Sequence, residues 1–356
     1  MDRIDSLLEW AAPRGVRLQG IQPHHEENSG IGMRAIKSLQ KGDVLIAIPS
    51  RMMRGLDTIS AATRAKLPPK MSIHGLLAAE FILKPPPETW VKVIPTFAEF
   101  NSIPFFWSQP AQALLPGTAQ RLLKAQQRNF SRDWEKVQSA FPQVSRQDYA
   151  HAWFVVSTRA FYQETEETLQ YPWLDRLALL PVADLFNHAA IGCKVQYNTD
   201  GYDVVADRSY SEGDEVYTSY GEHSNDFLLA EYGFLLQNNT HDRFDPEDLA
   251  PPDLSVEDTA LLKQMKTIPM LRQVCGPASE EEFIPGFKRS NVTPAGAYDR
   301  SQLRKLQSKL LTEAKERRSH VVASSDCTED QKATLLQRWG QIEELVQKAI
   351  RLSTAS

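Results

Sequence analysis

One short segment brings together residue types that a binding or catalytic site needs. An apolar run from Pro181 ends abruptly in Asp184, Asn187 and His188, that is, in a carboxylate, an amide and an imidazole. The Asn187 amide can donate and accept hydrogen bonds, and His188 offers ring nitrogens as well as backbone groups. These groups could hold a nitrogen-rich ring. An Asn cap beside an exposed histidine and a solvated aspartate would use the same residues.

Two Tyr-Gly steps follow this segment. Tyr220-Gly221 is separated from Tyr232-Gly233-Phe234 by residues that predict a short helix. Both phenols therefore stand beside flexible backbone. Either tyrosine taken alone is more typical of a core residue next to a turn.

A Gly-x-Gly step lies near the N-terminus, at Gly30, Ile31 and Gly32. Two glycines allow backbone groups to approach a ligand because no Cβ stands in the way. An isolated step of this kind is more typical of a tight turn or a bulge at the start of a strand. Its meaning depends on the motifs that accompany it.

Short strands and helices are predicted around these motifs. Alternating apolar and polar residues predict strands at 16–22 and 43–48, and again at 194–197, 202–206 and 214–218. Helical spacing predicts a helix at 72–84 and two helices between 126 and 162, with a break at Phe141-Pro142. Arg159 lies in the second of these two helices. Strand-rich ends therefore enclose a helical insertion.

The remainder of the chain is predicted to be helical. A stretch at 238–258, rich in Asn, Asp and Pro, indicates a domain boundary. Two apolar stripes at helical spacing follow, at Leu303, Leu306, Leu310 and Ala314 and then at Leu335, Trp339, Ile342, Val346 and Ala349. The second stripe opens on a capping box from Thr328 to Gln331.

Composition sets limits on the classes of protein to consider. With 356 residues, of which 42% are hydrophobic and 24% charged, the chain predicts two globular domains. A net charge of -5 gives no general attraction to nucleic acid, and no direct nucleic-acid contact is expected. The scattered Cys193, Cys275 and Cys327 indicate neither disulfides nor a metal cluster. With no apolar run of membrane-spanning length, we expect a soluble intracellular protein that contacts no membrane.

The order of the motifs resembles that of the SET-domain methyltransferases. Gly-x-Gly near the N-terminus, a distant Asp-x-x-Asn-His, and then Tyr-Gly and Tyr-Gly-Phe form the ordered set. With its long insertion and helical C-terminal region, the chain resembles the Rubisco large-subunit methyltransferase type, a class that includes fungal ribosomal-protein and elongation-factor lysine methyltransferases. The resemblance covers roughly 8–245 and, more loosely, the C-terminal helices.

This resemblance implies an α+β fold, in which several small sheets with a knot-like C-terminal segment carry a helical insertion. An α-helical, substrate-binding domain follows them. The implied segments are 1–55 for the N-terminal part of the SET domain, 56–165 for the helical insertion, 166–245 for the C-terminal part of the SET domain and 246–356 for the helical domain.

The resemblance also implies S-adenosylmethionine as the cofactor. By position, the backbone of Gly30, Ile31 and Gly32 would hold its methionine end, and Arg159 would pair with its carboxylate. On its own, Arg159 would be interpreted as a surface or interdomain salt bridge.

The later motifs would complete the cofactor site. Asn187 and His188 would hold the amino and adenine groups, and Asp184 would orient these two residues or contact substrate, with orientation preferred. Phe234 would lie against the adenine ring. Tyr220 would contact the cofactor and act as the catalytic residue, lining the channel through which the methyl group passes.

In such a site alignment and desolvation would do most of the catalysis. A lysine with an ordinary pKa of about 10.4 must lose its proton before attack, and an apolar channel beside a sulfonium would lower that pKa. Tyr220 would then orient the free amine.

The chain departs from the family pattern at two places. It has Asn187-His188-Ala189 where the family commonly has Asn-His-Ser, and Ser29 where an acidic residue often precedes the Gly-x-Gly step. We expect cofactor binding to survive because the contacts at these places are largely made by the backbone. The zinc-binding cysteine cluster that follows many histone-directed SET domains is missing, which argues against a histone enzyme.

The expected substrate is a lysine of a non-histone protein, with ribosomal proteins and translation factors as the classes that the resemblance suggests. Between Gly296 and His320 basic residues outnumber acidic ones, which suits an acidic partner surface but is more typical of a solvated helix face. Histidine methylation by the same fold, a scaffold role and small-molecule chemistry stay open. A monomer in the cytoplasm, the nucleus or both is expected.

Overall fold

The computed structural model describes residues 2–26, 30–198, 200–268, 271, 273–275 and 298–354. The chain forms two compact units, one of Met1–Phe100 with Gln127–Tyr220 and one of Asn101–Gln126 with Gly221–Ser356. Their borders differ from those of the four predicted segments. Residues 101–126, in the middle of the predicted insertion, belong to the second unit, together with residues 221–356. The four segments therefore stay a prediction about the family's functional parts.

The β-strands of the described residues belong to the first unit. They are β1 (Arg17–Leu18), β2 (Ile21–Glu26), β3 (Gly30–Ala35), β4 (Val44–Pro49), β5 (Ala160–Tyr162), β6 (Leu177–Leu179), β7 (His188–Asn198), β8 (Gly201–Val205) and β9 (Glu215–Val216). They form three small sheets, with the orders β1-β4-β8-β7, β2-β3-β9 and β5-β6. The neighbouring strands in all three sheets run antiparallel.

The α-helices divide between the units. They are α1 (Arg3–Ala11), α2 (Ala61–Lys66), α3 (Ile73–Leu83), α4 (Glu88–Val91), α5 (Gln109–Ala113), α6 (Gly117–Ala140), α7 (Arg146–Arg159), α8 (Asn225–Tyr232), α9 (Val256–Met265), α10 (Arg300–Ala323) and α11 (Glu329–Thr354). The border between the units falls inside α6. In the part of the chain that the structure describes, no helix is long and apolar enough to cross a membrane.

The small sheet β2-β3-β9 has one apolar and one polar face because side chains alternate along a strand. Four residues on its apolar face are almost completely buried: Ile31, Met33, Ala35 and Val216. The opposite face carries Glu26, Arg34 and Glu215, with Gly32 among them. Arg34 pairs in register with Glu215 and donates to both carboxylate oxygens of Glu26.

Both ends of the segment 187–193 contact the chain at 217–218. Thr218 N donates to Asn187 O at 3.0 Å on one side, and Cys193 N donates to Tyr217 O at 2.7 Å on the other. At Gly192 the two chains pass so closely that an added Cβ would lie 2.7 Å from the carbonyl carbon of Thr218. Glycine is therefore needed where these two chain segments cross. The small sheets and the helices together confirm the predicted α+β fold class.

Helix α7 positions Arg159 at its last residue, from which the chain passes directly into β5. Ser145 caps the helix by accepting from Asp148 N. The helix packs on α3, where His74 stacks on Trp153 with ring centroids 4.0 Å apart. The predicted break at Phe141-Pro142 is confirmed, because α6 ends at Ala140 and α7 begins at Arg146.

The second unit is built on α10 and α11, as the sequence predicted. Every residue of the two predicted apolar stripes is buried, with 3% or less of its surface exposed. The capping box is also confirmed, since Thr328 N donates to Gln331 Oε1 at 3.1 Å and Gln331 N donates to Thr328 Oγ1 at 3.3 Å. The predicted basic stretch begins at Gly296, which lies outside the described residues, and its remainder from Tyr298 onward belongs largely to α10.

Candidate functional site

The two glycines of the Gly-x-Gly step meet different surroundings. Gly30 has a φ of +77°, a conformation that favours glycine, and a Cβ added there would meet no described atom within 4 Å. At Gly32 a Cβ would lie 2.7 Å from Asn187 Nδ2 and 2.8 Å from Glu215 Oε1. Ile31, between them, is buried on the other face. Gly30 thus leaves open space beside the backbone, whereas protein side chains occupy the space above Gly32.

The Asn187 side chain is held by a residue that the sequence analysis missed. Asn187 Nδ2 donates to Glu215 Oε1 at 2.9 Å, and the second oxygen of Glu215 accepts from Tyr217 Oη at 2.6 Å. Glu215 and Tyr217 flank Val216 and so point to the same face. This alternation was visible in the sequence, but it did not show which partner the carboxylate would meet.

His188 and Tyr220 are joined through both backbone and side chains. Tyr220 N donates to His188 Nδ1 at 3.0 Å, and the two rings stack with centroids 4.9 Å apart. Because Nδ1 accepts this bond, a neutral His188 carries its proton on Nε2. Tyr220 Oη donates to Phe186 O at 2.6 Å. The phenol is therefore fixed against the same segment that carries Asn187 and His188.

The Tyr220 hydroxyl stays protonated near neutral pH. Burial raises the pKa of Tyr220, the positive charge of Arg159 opposes this shift, and the carboxyl of Asp184 adds to it. Tyr220 is therefore suited to orienting a reacting group, and it is not suited to acting as a base.

Arg159 reaches this cluster without forming an ion pair in the described part of the chain. Its Nη1 donates to the backbone O of Asp184. A carbonyl oxygen satisfies one of the five N–H donors and does not neutralise the charge. The surface or interdomain salt bridge that Arg159 alone would suggest is therefore not observed in the described residues, and a half-buried guanidinium can still bind an anion.

Asp184 does not orient Asn187 or His188, and that prediction was wrong. Its carboxylate instead accepts from Trp90 Nε1 at 2.8 Å and is almost completely buried. Burial raises the pKa of Asp184 to about 6, while the charge of Arg159 and the Trp90 hydrogen bond oppose the shift. Asn187 Nδ2 instead donates to Glu215, and His188 Nδ1 accepts from the backbone N–H of Tyr220.

A strained turn precedes Asp184. Val182 has a φ of +73° and is the single non-glycine residue with positive φ in the described part of the chain. For a β-branched residue this conformation costs on the order of 1–3 kcal/mol. The turn redirects the chain between β6 and the segment that carries Asp184 and Asn187.

Phe234 belongs to the second unit. Helix α8 ends at Tyr232, and Gly233 caps it in the left-handed conformation by donating to Leu229 O at 3.0 Å. The Phe234 ring lies 6.0 Å from that of Tyr232. The predicted contact of Phe234 with an adenine ring stays a prediction, as do the cofactor contacts of the other site residues. Ser29, where the family often has an acidic residue, lies outside the described residues.

A family model for the SET domain matches residues 30–221, which is more than half of the chain and contains Gly30, Arg159, Asn187 and Tyr220. The chain belongs to the SET domain family. The matched range ends at the residue after Tyr220, so it contains all the predicted site residues of the first unit.

Two kinds of curated relative are similar to this chain. The actin-histidine N-methyltransferase of Mus musculus is 26% identical over 267 residues, which cover 68% of this chain and 44% of the relative. The ribosomal lysine N-methyltransferase set11 of Schizosaccharomyces pombe is 26% identical over 244 residues, which cover 66% of this chain and 62% of the relative. The chain thus spans less than two thirds of the length of either relative.

Solved structures support the same fold. The structure of Rubisco LSMT bound to sinefungin and monomethyllysine matches with a TM-score of 0.62 and 15% identity, covering 100% of this chain and 92% of that one. The SET domain of LSMT bound to lysine and AdoHcy matches with a TM-score of 0.58 and 15% identity, covering 99% and 91%. At this identity the likeness establishes the fold.

Proposed function

We propose that this chain is an S-adenosylmethionine-dependent protein methyltransferase that transfers a methyl group to the side-chain nitrogen of a lysine. One observation carries the proposal. The first unit brings the Tyr220 phenol, the Asn187 and His188 pair and the Arg159 guanidinium together, although 61 positions separate Arg159 from Tyr220. Membership of the SET domain family and the names of the relatives support the same activity.

The residues present fit such a cofactor. The open backbone at Gly30 suits the methionine end, and Arg159 has donors for a carboxylate. Asn187 and His188 supply amide and backbone groups for the amino group and the adenine. When bound, S-adenosylmethionine supplies a methyl group on a positively charged sulfur, so the protein needs no acid to activate it.

The hydrogen bond of Tyr220 favours lysine as the acceptor. Because Phe186 O can only accept, the Tyr220 hydroxyl proton must lie on that bond. Toward any other group the phenol oxygen then acts as an acceptor. A lysine amine keeps N–H groups on its attacking nitrogen and can donate to this oxygen, whereas the attacking nitrogen of a neutral histidine carries no proton.

Histidine is the second candidate acceptor. The observation that favours it is the group of actin-histidine relatives, which match this chain at 25–26% identity. A neutral imidazole attacks without first losing a proton. With histidine as the acceptor, the site would therefore not have to lower the pKa of the acceptor near pH 7.

We propose that the substrate is a non-histone protein, with ribosomal proteins as the class that the fission-yeast relative suggests. The second unit would help to dock it. Basic residues along α10, among them Arg304 and Lys305, suit a partner with an acidic surface. A monomer that works in the cytoplasm or the nucleus completes the proposal.

Labelled cofactor tests the proposal most broadly. The purified chain would be incubated with methyl-labelled S-adenosylmethionine and a cell lysate, and mass spectrometry would locate the label. We expect label on lysine. Label on histidine would replace lysine as the acceptor, and label on small molecules alone, or no label from a protein that binds the cofactor, would contradict protein methylation.

A further inference from the structure

Glu215 has no role in the methyl-transfer scheme described so far, yet it lies against Asn187. Its side chain is partly buried on the polar face of the sheet β2-β3-β9. One carboxylate oxygen accepts from Asn187 Nδ2 at 2.9 Å and the other from Tyr217 Oη at 2.6 Å. Two such bonds fix the carboxylate before any ligand arrives.

The chemistry of this contact determines which way the Asn187 amide faces. A carboxylate only accepts hydrogen bonds, so Glu215 must face the NH₂ group of Asn187 and not its oxygen. Asn187 Oδ1 then points away from Glu215. Without the carboxylate, the amide can turn over and present its NH₂ group in that direction instead.

Tyr217 strengthens this arrangement. Burial and its hydrogen bond to Glu215 raise the pKa of Tyr217 to about 12, so the phenol stays a donor at neutral pH. Arg34, opposite Glu215 in register, adds a nearby positive charge. The hydrogen bonds from Asn187 and Tyr217 thereby hold the carboxylate in place.

Gly32 makes room for the pair. A Cβ at this position would lie 2.7 Å from Asn187 Nδ2, 2.8 Å from Glu215 Oε1 and 3.0 Å from Glu26 Cγ. These distances are shorter than van der Waals contact, so an alanine would push the two side chains apart. The second glycine of the Gly-x-Gly step is therefore needed for the contact between Asn187 and Glu215.

We propose that Glu215 is a positioning residue that orients the Asn187 amide so that Oδ1 accepts from the ammonium group of the cofactor, with Gly32 as the space that the pair requires. The inference rests on the proposed function. It adds that recognition of the cofactor's ammonium group depends on Glu215, which lies outside the Asp-x-x-Asn-His motif that contains Asn187.

Two ligands that differ in this ammonium group give the test. S-adenosylhomocysteine carries the amino-acid end, and 5′-methylthioadenosine lacks it. Calorimetric titration of the full chain would compare wild type with Glu215→Ala and Glu215→Gln. In Glu215→Ala we expect S-adenosylhomocysteine to bind about 10–100-fold more weakly and 5′-methylthioadenosine to change less than about threefold. Glu215→Gln should restore most of the affinity, because its amide oxygen can accept from Asn187.

Equal losses for both ligands in Glu215→Ala, or unchanged binding of both, would overturn the inference and leave the proposed function standing. Failure of folded wild type to bind S-adenosylhomocysteine would overturn both.

The stability of the free protein gives an independent readout. Gly32→Ala should lower the melting temperature less in a Glu215→Ala background than in wild type, and equal losses would contradict the shared space.

Discussion

The two units bury charged groups in opposite ways. In the second unit the Arg338 side chain is fully buried in α11 and donates to both oxygens of Asp226, at 2.8 and 3.0 Å, and to Asp242 at 2.7 Å. Arg243 O accepts a further bond. Although burial opposes its charge, the carboxylates of Asp226 and Asp242 raise the pKa of Arg338. With a further bond to Gln341, every N–H donor of Arg338 has an acceptor.

In the first unit Arg159 and Asp184 lie near each other without pairing. The guanidinium donates to the Asp184 backbone and not to its carboxylate, which accepts from Trp90. Burial raises the pKa of Asp184 to about 6, against the opposing charge of Arg159 and the Trp90 hydrogen bond.

Arg338 and Arg159 thus differ in whether their N–H donors are all used within the protein or can still bind a ligand. A saturated cluster such as that of Arg338 holds α8 to α11 and has no donor left to offer. A positive group that has no carboxylate partner among the described residues can instead bind an anionic ligand. Arg338 therefore anchors the second unit, and the unpaired charge of Arg159 supports the proposal that Arg159 binds the cofactor.

Removing the buried Arg338 guanidinium should have the largest effect on stability. Arg338→Met leaves the buried carboxylates of Asp226 and Asp242 without their cation and should lower the free energy of unfolding by about 3–5 kcal/mol. Urea denaturation measures this change in the free energy of unfolding. Arg317→Met is the matched control, because Arg317 pairs with Glu313 on the helix surface and should cost about 0.5 kcal/mol or less. Similar losses in the two variants would contradict the comparison.

Asp184→Asn should change how stability depends on pH. Near pH 3 the carboxyl is protonated in both folded and unfolded chains and contributes nothing. Above about pH 6 it is ionised in both, and the folded state bears the cost of burying the charge.

Wild type should therefore lose stability relative to Asp184→Asn as pH rises from about 4 to 6, by up to about 3 kcal/mol. Urea denaturation of both proteins across this range measures the difference, in which the other titrating groups cancel. A difference that does not change with pH would show that Asp184 titrates normally.

Tyr220→Phe should affect turnover more than binding. The variant loses the hydroxyl that donates to Phe186 O and that, in the proposed reaction, would accept from the substrate amine, so we expect turnover to fall about tenfold or more. Cofactor affinity should change by less than about threefold. Tyr197→Phe removes an exposed hydroxyl of β7 and should leave turnover unchanged. An unchanged rate for Tyr220→Phe would remove this phenol from the mechanism.

Local sequence patterns predicted the elements and the members of the site, but not their contacts. Periodicity located β4, α3 and the buried stripes of α10 and α11, because each follows from spacing along one element. The ordered motifs identified Asn187, His188 and Tyr220, which the fold brings together.

The contacts that local patterns missed join distant parts of the chain. Trp90 reaches Asp184 across 94 positions, and Glu215 reaches Asn187 across 28. Arg338 lies between the buried Leu335 and Trp339, where a charged residue would be expected to face solvent. Its burial depends on two carboxylates that lie 96 and 112 positions away, so no local pattern could reveal it.

Calorimetric titration of the full chain with S-adenosylmethionine tests the central claim most directly. We expect binding at one site in wild type and binding weaker by about 10–100-fold in Arg159→Met. Arg51→Met, whose guanidinium also donates to a backbone carbonyl but is exposed, should bind like wild type. No binding by folded wild type, or unchanged affinity in Arg159→Met, would contradict the assignment of this site to the cofactor.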